Sequence, residues 1–265
     1  MPDAASPDVP LGMSDIPLPP PPPPGEDTLA LVAAYLDRQP VDPALQARHF
    51  TPEAIAARKE RDDALKAKDW PALSRFRAAN AAVQPPELVM IGDSLTELWQ
   101  VALPDMFGER IVNRGISGQT SPQILLRFMA DVVALRPRCV HILCGGNDIA
   151  GNTGPNLFAD YQRNIMAMVQ LAEANGIGVL LAGLTPAATV FWQPEAKPLL
   201  WIPVLNDWLR DVAAARGHLY LDYHTPLTDG AGGLQDHYSA DGVHVTRAAY
   251  RLLRDILEQA LATNV

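Results

Sequence analysis

Basic residues are scarce in this chain, and they never form a run. It carries 21 Lys and Arg against 30 Asp and Glu, a formal net charge of -9 over 265 residues. An acidic surface repels phosphate backbones, so nucleic acid is not an expected partner. Long apolar runs are missing too. None approaches the roughly 18–20 residues that span a bilayer, so no membrane span is expected. There are only two cysteines, Cys139 and Cys144, in one run, Arg138-Cys-Val-His-Ile-Leu-Cys144. In a strand, residues five apart point to opposite faces and stand about 16 Å apart. They cannot bridge each other. No metal-ligand spacing surrounds them, and they read as two small buried hydrophobes. The first Lys or Arg is Arg38, so the N-terminus lacks the basic region of a secretory signal. On that ground the expected compartment is the cytoplasm.

About half of the residues are apolar (48%), enough for a sizeable core without staples. Residues 1–25 are rich in Pro, Asp and Ser and end in six prolines and Gly25. Such a stretch buries no core, and it is expected to be a disordered tail. Residues 26–85 read as a helical N-terminal arm. Thr51-Pro52-Glu53 is a helix start, with Thr as N-cap and Pro at the first position. Trp70 to Ala82 reads as a further helix. From residue 86 to 265 strands alternate with helices. The predicted strands are Leu88–Ile91, Arg110–Asn113, Val140–Cys144, Gly178–Gly183 and His218–Leu221. Alternation of this kind implies an α/β fold with a parallel sheet covered on both faces, here with strand order 2-1-3-4-5. Ligands bind such sheets at the carboxyl ends of the strands.

Four segments fall just after predicted strands or near the last helix. They are Gly92-Asp93-Ser94-Leu95, Gly115-Ile116-Ser117-Gly118, Gly145-Gly146-Asn147-Asp148 and Asp241-Gly242-Val243-His244. Ser94 is a candidate nucleophile, weak until a base takes its proton. The α/β-hydrolase elbow needs a second glycine, and Thr96 stands in its place. The scaffold is therefore a different one. His244 is the candidate base. Asp241, three residues before it, can reach back to Nδ1 and present Nε2 to Ser94. His237 is a rival base with only Asp236 beside it, and His141 reads as core. A developing oxyanion needs donors, and the candidates are the Ser94 N–H, the Gly118 N–H and the Asn147 side-chain amide. Gly145-Gly146 could suggest phosphate cradling, but no Lys follows and no Gly-x-Gly-x-x-Gly is present.

These four blocks, in this order, resemble the SGNH hydrolases, the GDSL esterase/lipase family. The resemblance covers about residues 70–262. Phe76–Asn80, Arg114–Thr120 and Asp148–Gly154 are similar to a bacterial acylhydrolase subgroup related to platelet-activating-factor acetylhydrolase subunits. It implies a flavodoxin-like three-layer α/β/α sandwich and a serine esterase without metal or cofactor. The implied triad is Ser94, His244 and Asp241, with Ser94, Gly118 and Asn147 forming the oxyanion hole. Many relatives in the subgroup carry an export signal, which makes export the alternative to the cytoplasm. Many also have Gly-Thr-Asn-Asp where this chain has Gly-Gly-Asn-Asp, a change that leaves the donor in place.

The expected substrate is a small-molecule ester. Trp99, beside the nucleophile turn, and Phe191, Trp192 and Trp201 of the Pro186–Trp201 loop are candidates to line its pocket. No long apolar lid is evident, which favours short acyl groups such as acetyl. A carbohydrate or peptidoglycan O-deacetylase would use the same site. A flavodoxin-like binding protein without catalysis is a more distant reading. Oligomeric state leaves no mark on the sequence.

Overall fold

The computed structural model describes residues 25–264. The Pro-rich stretch expected as a tail lies outside the described residues, Gly25 excepted. Four helices come first: α1 (Glu26–Leu36), α2 (Pro43–His49), α3 (Pro52–Lys68) and α4 (Arg77–Ala82). The start of α3 follows its residues. Thr51 Oγ1 accepts the Ala54 N–H at 3.1 Å, and Pro52 opens the helix. The helix expected over Trp70–Ala82 is shorter. Asp69 accepts from the Leu73 and Ser74 N–H groups at 2.8 and 2.7 Å. Its carboxylate holds the next residues in turns, and regular helix begins only at Arg77.

Then come β1 (Leu88–Gly92), α5 (Ser94–Ala102), β2 (Ile111–Gly115), α6 (Ser121–Asp131), β3 (Cys139–Leu143), α7 (Gly146–Ala150), α8 (Phe158–Ala174), β4 (Gly178–Ala182), α9 (Pro198–Arg216), β5 (Leu219–Leu221) and α10 (Arg247–Asn264). All strand pairs are parallel, and the sheet order is β2-β1-β3-β4-β5, as the alternation predicts. No helix among the described residues is long and apolar enough to cross a membrane.

Strand parity splits the core into two layers. Val89, Ile91, Val140, Ile142 and Leu181 face α6, α8 and α9 through Phe128, Met168 and Leu205. Leu88, Met90, Leu180 and Leu221 face Leu36 of α1, Trp99 of α5 and Tyr250 of α10. Cys139 belongs to the second layer and Cys144 to the first, opposite faces as their spacing requires. Burial pushes the Cys139 thiol up to about 11 and raises Cys144 well above the usual thiol range. Both stay protonated and unreactive.

The carboxyl ends of β1, β2 and β3 meet at Gly92, Gly115 and Leu143. A Cβ on Gly92 would lie 2.2 Å from the Leu143 carbonyl oxygen and 2.3 Å from Thr96 Oγ1. Only glycine lets the chain turn there from β1 into α5. Beneath this corner lies Arg127, fully buried in α6. Its guanidinium donates to Gly92 O at 3.0 Å, Arg114 O at 2.7 Å, Gln119 Oε1 at 2.6 Å and Asp131 Oδ2 at 3.1 Å. One side chain thus ties the end of β1, the end of β2 and the loop carrying Gly118. Burial lowers the Arg127 pKa, and Asp131 opposes that shift. Asn80 of α4 joins the network, donating to Asp131 Oδ1 at 2.8 Å and accepting from Arg114 Nε at 2.8 Å.

Arg127→Met should leave Asp131 buried without its cation and should cost about 3–5 kcal/mol of folding stability. Urea unfolding measures it. A loss below about 1 kcal/mol would show that the network contributes little.

Candidate active site

The loop between β5 and α10 is short of regular structure and is shaped by its own polar side chains. Asp241 Oδ1 accepts the Val243 and His244 N–H groups at 2.9 and 2.8 Å. This closes a turn, and it leaves Oδ2 free to face the His244 ring. Oδ2 stands 2.8 Å from Nδ1. Ser239 Oγ fastens the other side, donating to His244 O at 2.6 Å and accepting from the Gly242 N–H at 2.9 Å. With Nδ1 donating to the carboxylate, Nε2 is the acceptor. It lies 3.0 Å from Ser94 Oγ. Burial alone would push Asp241 up. The hydrogen bond and charge of His244 outweigh it, helped by Tyr35 and the Val243 amide, and hold the carboxyl well below the usual range.

Ser94 is the first residue of α5, where backbone N–H groups have no acceptor within the helix. Asp93 caps the helix, accepting the Leu95 N–H at 3.1 Å. Gly118 has φ +78°, a conformation that favours glycine, and this sets the turn that carries its N–H. Asn147 lies in the first turn of α7 and is buried. Its amide donates to Gln119 O at 3.1 Å and to Asp93 Oδ2 at 3.2 Å. Asn152 fixes the amide's orientation. Its Nδ2 reaches Asn147 Oδ1 at 2.7 Å and Gly118 O at 3.2 Å. Asn152 Oδ1 in turn accepts from Trp192 Nε1 at 2.9 Å. The Trp192 ring lies over the His244 ring, with centroids 6.2 Å apart and planes at 26°. The four sequence blocks therefore converge, and a hydrogen-bonded brace joins their loops. Asn152 lies within a segment that carries the family resemblance, but spacing alone gives it no role.

A cleft of about 560 Å³, its open mouth included, begins at Ser94 and Asn147. Leu143, Ile149, Leu184, Val190, Ile202 and Val243 make its walls mostly hydrocarbon. Of the four aromatics expected there, Trp192 alone lines it. Trp99 is fully buried on the opposite side of α5, packed edge-on against His141 and Tyr223. The amphipathic period of α5 turns it into the core. Phe191 is 62% exposed and meets only the edge of Trp192. Trp201 sits one turn into α9 and packs on Phe158 at 6.0 Å, around a separate surface hollow. The rival base His237 turns onto Tyr238, with ring centroids 3.9 Å apart. His141 is core, and burial lowers its pKa to about 3.

Asp93, next to Ser94 in the chain, is a buried carboxyl. Burial raises its pKa from 3.8 to about 7, against the Leu95 N–H and the charge of His244. Between about pH 4 and 7 the folded chain keeps a proton that the unfolded chain releases, so this residue makes stability fall as pH rises through that window. Asp93→Asn removes the penalty. The variant's stability relative to the parent should therefore grow from pH 5 to pH 7, by at most about 1.4 kcal/mol per pH unit. Chemical unfolding at both pH values tests this, and a constant difference would contradict the assignment.

The GDSL-like lipase/acylhydrolase family model matches residues 90–252. Esterase TesA of Pseudomonas aeruginosa is 32% identical over 183 residues, covering 64% of this chain and 85% of its own. Among solved structures, a GDSL-like lipase of Bacteroides thetaiotaomicron is 36% identical with a TM-score of 0.71, covering 74% of this chain and 99% of its own. A provisionally assigned acylhydrolase of Bacteroides fragilis is 37% identical with a TM-score of 0.70, covering 73% and 97% respectively. A family match over more than half of the sequence, on the expected sheet and with these relatives, identifies the chain as a member of the GDSL-like lipase/acylhydrolase family, the SGNH hydrolases, and as an ester-hydrolysing enzyme.

Proposed function

We propose that this esterase cleaves short-chain acyl esters through Ser94, His244 and Asp241, with the Ser94 N–H, the Gly118 N–H and the Asn147 amide receiving the oxyanion. The observation that carries the reading is the continuous relay beside an apolar cleft. Asp241 Oδ2 to His244 Nδ1 is 2.8 Å, and His244 Nε2 to Ser94 Oγ is 3.0 Å. His244 Nε2 takes the Ser94 proton as Oγ attacks the ester carbonyl carbon. The tetrahedral oxyanion forms against the three donors. It competes with Asp93 and Gln119 O for the Asn147 amide. Asp93, raised to about 7, is partly protonated near neutrality and is then a weaker competitor. The imidazolium gives its proton to the departing alkoxide, leaving an acyl group on Ser94. Water, deprotonated by the same imidazole, then releases the acid and restores the serine.

Acyl length follows from how far the cleft walls can yield. Leu184 and Ile202 line it, and both belong to the packed core, 4% and 3% exposed. A close-packed wall yields little to a longer chain.

One observation favours carbohydrate O-deacetylation as a second reading. A hollow of about 650 Å³, open mouth included, runs along Gly118 between α3 and the oxyanion loop. It presents Lys66, Asp69, Arg75 and Ser117, with the partly exposed Trp70. A polyhydroxylated alcohol finds donors, acceptors and an aromatic face there.

With p-nitrophenyl esters, kcat/KM should fall at least about tenfold from acetate to octanoate, a difference of about 1.4 kcal/mol. Ser94→Ala should abolish turnover with an unchanged melting temperature. Equal turnover of octanoate would refute the short-chain assignment, and an active Ser94→Ala variant would remove Ser94 from the mechanism. Faster cleavage of acetylated oligosaccharides than of simple acetates would select the second reading.

A further inference from the structure

The first helix of the arm reaches the acid end of the relay, from outside the region that defines the family. The family match begins at residue 90, whereas α1 ends at Leu36. Tyr35 stands in the last turn of α1. Its ring meets the His244 imidazole edge-on, with centroids 6.4 Å apart and planes at 86°. Its hydroxyl lies 3.4 Å from His244 O, a long contact. The Asp241 carboxylate is the other acceptor facing its one O–H proton, and the stronger of the two. Burial first, then that contact and charge, raises the phenol's pKa, so it remains a donor.

Further contacts bind the same helix end to the same loop. Asp37 takes two hydrogen bonds from Arg247, at 2.7 and 3.2 Å. The Arg38 guanidinium donates to Asp236 O. Leu36 is buried with Trp99 and Tyr250. Asp236 and Arg247 bracket Asp241 and His244 in sequence, so α1 clamps the loop on both sides of the pair. Arg247 also donates to Ala102 O, at the far end of the helix that begins with Ser94.

A loop made of turns sets no orientation by itself, and an acid–base pair must be held within a few tenths of an ångström. Asp241 spends Oδ1 on two backbone N–H groups and Oδ2 on His244 Nδ1. Those donors come from its own loop. Tyr35 comes from another part of the chain and fixes the carboxylate relative to the body of the protein.

We propose that Tyr35 is a positioning residue for the Asp241–His244 pair, so that α1 belongs to the working structure of the esterase. This rests on the roles given to Asp241 and His244 under Proposed function. Removing the hydroxyl takes one donor from the carboxylate. The carboxylate then holds the imidazolium proton more tightly, and the acidic limb of activity moves to higher pH. Asp93, at the head of α5, also acts electrostatically on His244, and it stays in place in the variant.

The test is Tyr35→Phe in the full chain, which keeps the ring. For p-nitrophenyl acetate, kcat should fall about 3–10-fold with KM within about twofold, and the acidic limb of kcat/KM should move upward. Tyr35→Leu should lose more. Proton NMR titration of the His244 ring reads the same displacement without any substrate. Wild-type kcat, an unmoved acidic limb and an unmoved ring titration in Tyr35→Phe would overturn the proposal and leave Tyr35 as packing alone. A parent chain that hydrolyses no ester of the series would sink the substrate assignment instead, and the ring titration would still decide the clamp.

Discussion

The contact between Ser94 Oγ and His244 Nε2, 3.0 Å long, joins residues 150 positions apart. Much else in the fold can be traced to what that distance requires. Ser94 must leave β1 in a turn tight enough to exclude a side chain at Gly92. His244 must be held by a loop built of turns, two single-turn 3-10 helices and isolated bridges. A parallel sheet solves the first half, because the strand ends on one edge bring their loops together. Asp241, Ser239 and the contacts from α1 address the second.

Charge is distributed so that each buried ionisable group near the site has a partner. Arg127 spends its donors on two strand-end carbonyls, Gln119 and Asp131. Asp148 accepts from the Ser121 N–H and hydroxyl and from Asn156. Asp241 has its histidine. Asp148 and Asp93 have hydrogen-bond donors but no cation in contact, and burial raises the pKa of both. A carboxyl beside the proposed oxyanion donors that is only partly ionised near neutrality repels a developing negative charge less than a full carboxylate would. The residue that caps α5 thus has its electrostatics set by burial.

How much of this was legible in the sequence differs by level. Sheet order and strand positions followed from apolar runs of four to six residues separated by helical periodicity. The Asp241–His244 contact followed from local spacing, since a carboxylate three residues before a histidine closes its own turn. What the sequence hid was long-range. Trp99 lay next to the nucleophile in sequence, yet the period of α5 turned it into the core. The bonds of Asn152 to Asn147 and Gly118 depend on how two loops meet. The position of Tyr35 against His244 depends on how α1 docks, which no local pattern encodes. Nothing local marks Arg127 as buried, and only tertiary packing shows why a guanidinium stands there.

The central claim is that Ser94 is an activated nucleophile because His244 and Asp241 make it one. Reaction of the full chain with a fluorophosphonate, followed by mass spectrometry of its peptides, tests this most directly. A single adduct on the peptide bearing Ser94, formed at least about 100-fold more slowly in a His244→Ala variant, is the predicted result. Labelling at another residue, or at Ser94 with an undiminished rate when His244 is absent, would contradict it.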